Sequence, residues 1–361
     1  MAVYVGNVSD FGCERAKVEQ RILGRTGLQV SAVGFGGGGI GQVWGATTDD
    51  ESVRAVKVAL ERDVTFYDVA PTYGDGRAER VLGEGLQGHR DDVSIMTKVA
   101  LPPERFDDIR AFVREGVAGS LERLQTDRID LLLIHNMVTT VRSKPYSIAI
   151  TLDDAFRMAD AFEELRAEGR VRFIGFTAWK CTAAGLDGMF ASDRFDVIQT
   201  EYNLLNPTAL VPAPAGAGFG DMSRLEVDHD DKSMGPYGYR GTDQHRTFAR
   251  AAEHDVGVVA IRPLMAGILA DEIDRPLEPD PDLELMRRRA DALREILGGE
   301  RRTLSAAAIR FVLQRPEVGT VVPGVKNVAE IEEAIDAADL PPFTDAELAR
   351  IAAIAAGNAD R

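Results

Sequence analysis

Short runs of apolar and β-branched residues alternate with longer segments of helical period along almost the whole chain, and this rhythm restricts the fold more than any other property of the sequence. Strands are expected near Val30 to Phe35, Val64 to Asp68, Val93 to Lys98, Ile129 to His135, Val171 to Phe176, Val197 to Tyr202, Val256 to Ile261 and Thr320 to Val322. Parallel strands need crossovers long enough to hold a helix. About eight strands is the number that closes an α/β barrel. Thr48 and Glu51 form a capping-box pattern ahead of Val53, Val56 and Leu60, which recur on one helical face. Similar stripes run over Arg105 to Leu124, Asp153 to Glu168 and Leu304 to Gln314. Ahead of the first strand, RILGRTGLQV reads as a small hairpin around Thr26-Gly27, and residues 1–20 read as a mobile extension.

Four side chains suited to one proton-transfer device fall at the ends of successive expected strands: Asp68 and Tyr73, Lys98, and His135. A phenol with an ordinary pKa of about 10 is a poor acid at neutral pH. A neighbouring cation that stabilises the tyrosinate corrects this, and Lys98 supplies one. A carboxylate within reach, Asp68, keeps a buried lysine charged. Singly, each residue has a plain structural explanation; together on one rim they point to a site.

The motifs FYDVAPTYGDGRAERVLGEGL, SIMTK, DLLLIHN, VIQTEYNLLN and VVPGVKN, in that order, resemble those of the aldo-keto reductases from about Arg21 to the chain's end. The resemblance implies a single-domain (β/α)8 TIM barrel over residues 21–361, plugged at its bottom by the hairpin. It also implies a nicotinamide cofactor and interconversion of a carbonyl with an alcohol. Tyr73 would then be general acid for reduction and, as tyrosinate, general base for oxidation. Lys98 would lower its pKa, Asp68 would keep Lys98 charged, and neutral His135 would orient the substrate oxygen.

The same resemblance places the cofactor. Thr177 replaces a serine that meets the carboxamide, while the neighbouring asparagine has become Ala178. Gln199 matches the glutamine at the nicotinamide face. Ile261 stands where a stacking aromatic is common. The turn Pro263-Leu264-Met265-Ala266-Gly267 offers backbone amides to a pyrophosphate. At the adenosine end Gly324, Lys326 and Asn327 are candidate contacts, and Glu330 stands where the family often has a basic or amide residue. An acid repels a 2′-phosphate but accepts from a free 2′-hydroxyl, so the cofactor is NAD(H) or NADP(H), with Glu330 favouring NAD(H).

A long segment without period, 206–243, follows strand six and would leave from the catalytic face as a lid. Its Tyr237 and Tyr239, with Trp44 and Trp179, are candidates to wall a substrate pocket. DHDD at 228–231 lacks metal-ligand spacing, and no metal is expected. Gly34 to Gly39 matches a dinucleotide fingerprint, but the next helix starts about ten residues too late. The glycines are therefore read as a flexible loop beneath the cofactor.

Composition sets the outer limits. With 361 residues and a net charge of −16, the chain lacks the basic footprint that nucleic acid or anionic membranes require, leaving small molecules as ligands. Two distant cysteines, Cys13 and Cys181, and no apolar leader or span point to a reducing cytoplasm. The sequence leaves the oligomeric state open. A second functional class, a cofactor-sensing regulatory subunit on the same fold, is compatible with an intact tetrad.

Overall fold

The computed structural model describes residues 18–142, 149–213, 219, 241–273, 275–277, 282–298 and 302–357. Its centre is an eight-stranded parallel sheet: β3 (Phe35–Gly36), β4 (Phe66–Asp68), β5 (Ser94–Val99), β6 (Ile129–Ile134), β9 (Val171–Thr177), β10 (Val197–Glu201), β11 (Gly257–Ile261) and β12 (Thr320–Val321), with β7 (Met137–Val138) and β8 (Ala149–Ile150) paired separately. Bridges Val33–Val321 and Gly36–Gly324 join the first and last strands and close the barrel. Gly34 N–H donates to Val321 O at 2.8 Å and Val325 N–H to Gly36 O at 3.0 Å, so the seam is hydrogen-bonded. A doubly wound dinucleotide-binding sheet is excluded.

The barrel helices are α1 (Asp49–Glu61), α2 (Arg77–Gly85), α3 (Ile109–Leu124), α4 (Leu152–Ala167), α5 (Ala183–Ala191), α6 (Thr247–Glu253), α8 (Leu304–Leu313) and α9 (Val328–Asp336). Two additions, α7 (Leu283–Leu297) and α10 (Asp345–Ala355), pack on each other. Thr48 caps α1 as expected, accepting from Glu51 N–H. The reciprocal half of the box is redirected, because Glu51 Oε1 accepts instead from Val328 N–H at the start of α9.

Val30 does not belong to the first barrel strand. It pairs within an antiparallel hairpin, β1 (Gln20–Ile22) with β2 (Gln29–Ser31), and the barrel strand begins only at Phe35. The apolar run from Val30 to Phe35 therefore covers two elements. Gly27 takes the left-handed conformation of the hairpin turn at φ 65°. Leu23 seats against Gly257 and Gly319, where a β-carbon would come within 2.7 and 2.8 Å of it, so the hairpin plugs the amino-terminal end of the barrel. Val18 is buried and β1 starts at Gln20, so residues ahead of Arg21 belong to the packed structure; residues 1–17 lie outside the described residues.

Inside the barrel Phe66, Met96, Leu131, Leu133, Val197, Val259 and Val322 form a closed apolar layer. Strand residues point inward every second position. One step above this layer, towards the carboxyl ends, the inward positions turn polar: Asp68, Lys98, Thr177 and Gln199.

The segment after β10 is anchored at both ends. Asn206 Nδ2 donates to Thr242 O at 3.0 Å, Gln244 N–H to Thr208 Oγ1 at 2.8 Å, and Thr200 on β10 donates to Gln244 Oε1 at 3.0 Å. Residues 206–209 and 242–244 are thus part of the packed barrel top, and most of the intervening stretch, with Tyr237, Tyr239 and DHDD, lies outside the described residues.

Candidate active site

Asp68 closes β4 and Lys98 lies near the end of β5, one strand over, both buried. Lys98 Nζ spends its three N–H groups on Asp68 Oδ1, on Val69 O at 2.8 Å and on Tyr73 Oη at 3.3 Å. The second oxygen of Asp68 accepts from Gln199 Nε2 at 3.0 Å. The phenol oxygen is therefore an acceptor from Lys98, and its own hydrogen is left to point elsewhere. The His135 ring stands edge-on to Tyr73, with centroids 6.0 Å apart and planes at 82°. An oxygen seated between Tyr73 Oη and the imidazole would meet a donor on each side.

Tyr73 is set by a turn. Its N–H donates to Ala70 O at 3.0 Å, and Gly76, in the left-handed region at φ 78°, brings the chain back into α2. Arg77 ties this turn to the loop after β3 through Ile40 O and Asp49. Gly41 backs directly onto Tyr73, since a β-carbon there would lie 2.7 Å from Tyr73 Cβ.

The electrostatics correct one expectation. Burial lifts the Tyr73 phenol above its ordinary value, Lys98 pulls it down, and the net direction is upward. Lys98 thus limits the rise instead of producing a depressed pKa, and the protein without cofactor holds a protonated Tyr73. Burial works to discharge Lys98, but Asp68 and Tyr73 outweigh it and hold the ammonium above its usual value. Burial raises the Asp68 carboxyl, opposed by Lys98 and Gln199. Burial, reinforced by repulsion from Lys98, pushes His135 down to about 3, so the imidazole is neutral at neutral pH.

That last shift carries a stability consequence. With a folded pKa below the ordinary His value of about 6.5, the unfolded chain binds more protons between the two values, so this contribution is complete above about pH 6.5 and is lost on acidification. Allowing for the ring's partial exposure, wild type should lose about 1 to 2 kcal/mol relative to His135→Gln between pH 7 and 5. Denaturant unfolding of both proteins at the two pH values checks this, and an unchanged difference contradicts a neutral imidazole in the folded protein.

The expected cofactor residues line one arc of the same rim. Thr177 ends β9, buried, with its hydroxyl accepting from Trp179 N–H at 3.3 Å. Gln199 faces the lumen, but its amide nitrogen is already engaged by Asp68, which links the nicotinamide-side residue to the proton-transfer group. In the turn after β11, Arg262, Met265, Ala266 and Gly267 take positive φ values of 57, 49, 54 and 96°. Met265 N–H donates to Arg262 O at 3.0 Å and Gly267 N–H to Leu264 O at 2.9 Å, so two of the amides expected to meet a pyrophosphate close the turn itself. Pro263 and Leu264 bridge these residues. The buried polar rim, with Ile261 as apolar packing, fits the nicotinamide end of a dinucleotide.

At the far end, Lys326 N–H donates to Glu330 Oε2 at 2.7 Å, Lys326 Nζ pairs with Glu330 Oε1 at 3.3 Å, and Asn327 caps α9 by accepting from Glu330 N–H. Glu330 is thus neither a loose solvent-facing residue nor an open ligand. Its carboxylate sits on the helix start, on the groups an added phosphate would use.

The glycine run is the other correction. Gly36 and Gly39 are buried, and β-carbons there would come within 2.3 Å of Pro323 O and 2.1 Å of Val325 O. These glycines serve close packing of the loops after β3 and β12, not flexibility. Trp44 lies across Gly38 and Gly324, so Gly324 faces the indole; the Arg275 guanidinium stands 5.6 Å from that ring and donates to Ala266 O at 3.0 Å. Trp179 is flanked by Lys180 Nζ at 4.5 Å and Arg262 at 6.0 Å, and Arg262 Nε pairs with buried Glu201 at 3.3 Å. The Arg262–Glu201 pair escaped the sequence reading. Arginine and glutamate at strand ends are unremarkable until the fold sets β10 beside β11.

Cys181 is buried, with its thiol pushed up to about 12 by burial, which makes it unreactive; Cys13 lies outside the described residues. Among the described residues no three metal-ligating side chains are grouped, and no helix is long and apolar enough to cross a membrane.

The family model "Aldo/keto reductase family" matches residues 32–213 and 229–356. The chain is 29% identical to an L-galactose dehydrogenase of Arabidopsis thaliana over 89% of this chain and 88% of that one. It is 27% identical to a D-threo-aldose 1-dehydrogenase of Pseudomonas sp, covering 90% and 94%. The holo form of aldo-keto reductase AKR11C1 from Bacillus halodurans superposes with a TM-score of 0.67 at 25% identity, covering 93% of this chain and 96% of the other. The chain belongs to the aldo/keto reductase family of nicotinamide-dependent oxidoreductases.

Proposed function

We propose that the protein interconverts a sugar-type alcohol or lactol and its carbonyl form, with Tyr73 as general acid and base. The carrying observation is the single buried network in which Asp68 holds Lys98 and Lys98 donates to the Tyr73 oxygen. When bound, the nicotinamide supplies or accepts the hydride. Tyr73 delivers its free proton to the carbonyl oxygen in reduction and, once ionised, removes the hydroxyl proton in oxidation. Lys98 stabilises the resulting tyrosinate. Neutral His135 donates to the same substrate oxygen and fixes its direction. The two dehydrogenase relatives, named for galactose and aldose substrates, support a sugar-type substrate. Following NAD+ and NADP+ reduction against a panel of aldoses, polyols and simple alcohols tests this. Turnover on the sugars supports it, and absence of turnover with every alcohol and carbonyl favours a cofactor-sensing role.

The cofactor is proposed to be NAD(H). The Glu330 carboxylate already occupies Lys326 N–H and Nζ, and a second anion several ångströms away would be repelled by about 1 to 2 kcal/mol. Glu330→Arg should raise the NADP-to-NAD ratio of kcat/KM about ten-fold or more, almost wholly through KM. A wild type that already prefers NADPH, or a ratio indifferent to the substitution, contradicts this assignment.

A further inference from the structure

We propose that Asn136 is a positioning residue that fixes His135 relative to the strand carrying Lys98; the proposal rests on the catalytic reading of His135 given above. Asn136 follows His135 immediately and is completely buried. Its amide completes both polar groups of one distant residue: Leu101 N–H donates to Asn136 Oδ1 at 2.8 Å and Asn136 Nδ2 donates to Leu101 O at 2.9 Å. These bonds continue the pairing of β5 with β6, in which Lys98 lies opposite Leu133 and Val99 opposite Ile134. His135 N–H then donates to Val99 O at 2.8 Å, and the Asn136 side chain supplies the next rung where the backbones separate. His135 is thereby held on both sides to the strand that carries Lys98.

This arrangement matters to the imidazole in particular. Tyr73 is fixed by its own turn and by Lys98, but the His135 ring is partly exposed and reaches Tyr73 only edge-on at 6.0 Å. Its direction is inherited from its backbone. Without the Leu101 clamp, the last rung before Met137 is lost, and the ring can drift by a fraction of an ångström while Asp68, Lys98 and Tyr73 stay in place. A donor displaced this way loses its hold on an oxygen that develops charge in the transition state.

The test is a double-mutant cycle in the full-length, cofactor-saturated enzyme, with the sugar that gives best turnover. Asn136→Ala should lower kcat about 10- to 100-fold with cofactor Kd unchanged. In a His135→Ala background, the same substitution should cost no more than about two-fold, because there is no imidazole left to misplace. Asn136→Leu fills the same buried space without a charge and loses both bonds to Leu101, so it supplies the cycle if the alanine variant, which leaves a cavity, does not fold. Equal losses in both backgrounds would show a scaffolding role and overturn positioning while leaving the proposed reaction intact. Wild-type kcat in Asn136→Ala also overturns it. If His135→Ala alone turns over normally, the catalytic reading of His135 and the positioning of Asn136 fall together.

Discussion

Tyr73→Phe is expected to lower turnover in both directions by about 10²- to 10⁴-fold, the range that positioned general acids and bases contribute. The ring remains, so its packing on Gly41 and its edge contact with His135 remain. Only the transferable proton and the acceptor for Lys98 disappear. Cofactor affinity should hardly change, because no proposed cofactor residue contacts the phenol oxygen. One N–H of Lys98 loses its partner, which costs on the order of 1 kcal/mol and leaves the fold intact. Steady-state rates beside a fluorescence titration of cofactor separate the two effects. Wild-type turnover in Tyr73→Phe removes the central assignment.

Lys98→Met should be nearly as damaging to turnover and considerably worse for stability. The buried Asp68 carboxylate would lose its ammonium and keep only Gln199, and breaking a buried pair on one side costs about 3 to 5 kcal/mol. The pH dependence has a definite sign. Burial already raises the folded pKa of Asp68, and removing Lys98 raises it further. The folded state then holds a proton that the unfolded chain has released, so stability falls as pH rises above the ordinary carboxylate range. The deficit relative to wild type should be larger at pH 8 than at pH 5. The rising alkaline limb of the oxidation rate should also move upward, since burial already lifts Tyr73 and Lys98 no longer opposes it. Adding Asp68→Asn should restore much of the stability by removing the unpaired charge, while activity stays low. Recovery of both properties in the double variant would reduce the pair to a structural ion pair.

The tetrad was legible because Asp68, Lys98 and His135 fall at the ends of successive strands, with Tyr73 on the turn after the first of them, and strand ends in a parallel barrel share one rim. The strand count survived for a similar reason: each barrel strand is a short apolar run between helical stretches. The first strand was misplaced because VSAVGF is continuously apolar or small. Such a run does not show that Val30 pairs with Arg21 while Phe35 pairs with Tyr67. The glycines exposed a limit of a different kind. Sequence shows that a side chain is missing at Gly36 and Gly39, but not whether its absence permits motion or admits a neighbouring carbonyl. Asn136 is visible in DLLLIHN but carries no signal of its bonds to Leu101, which lies 35 residues away. Glu330 is legible as a candidate at the adenosine end, yet only the fold shows its carboxylate folded back onto Lys326.

The closing seam couples the two ends of the polypeptide in time. On the edge away from β4, Val33 to Gly36 find their partners only at Val321 to Val325, most of the chain's length later. Pairing of that sequence separation carries the largest loop-closure entropy in the barrel and belongs to the slow part of folding. During synthesis the first strand must wait as an open edge until the last has left the ribosome. The proposed adenosine contacts, Lys326 to Glu330, lie just beyond the same seam, so a nascent or carboxyl-truncated chain would have the proton-transfer residues without a complete place for the nucleotide. Ability to retain the cofactor would then report that the last strand is in place.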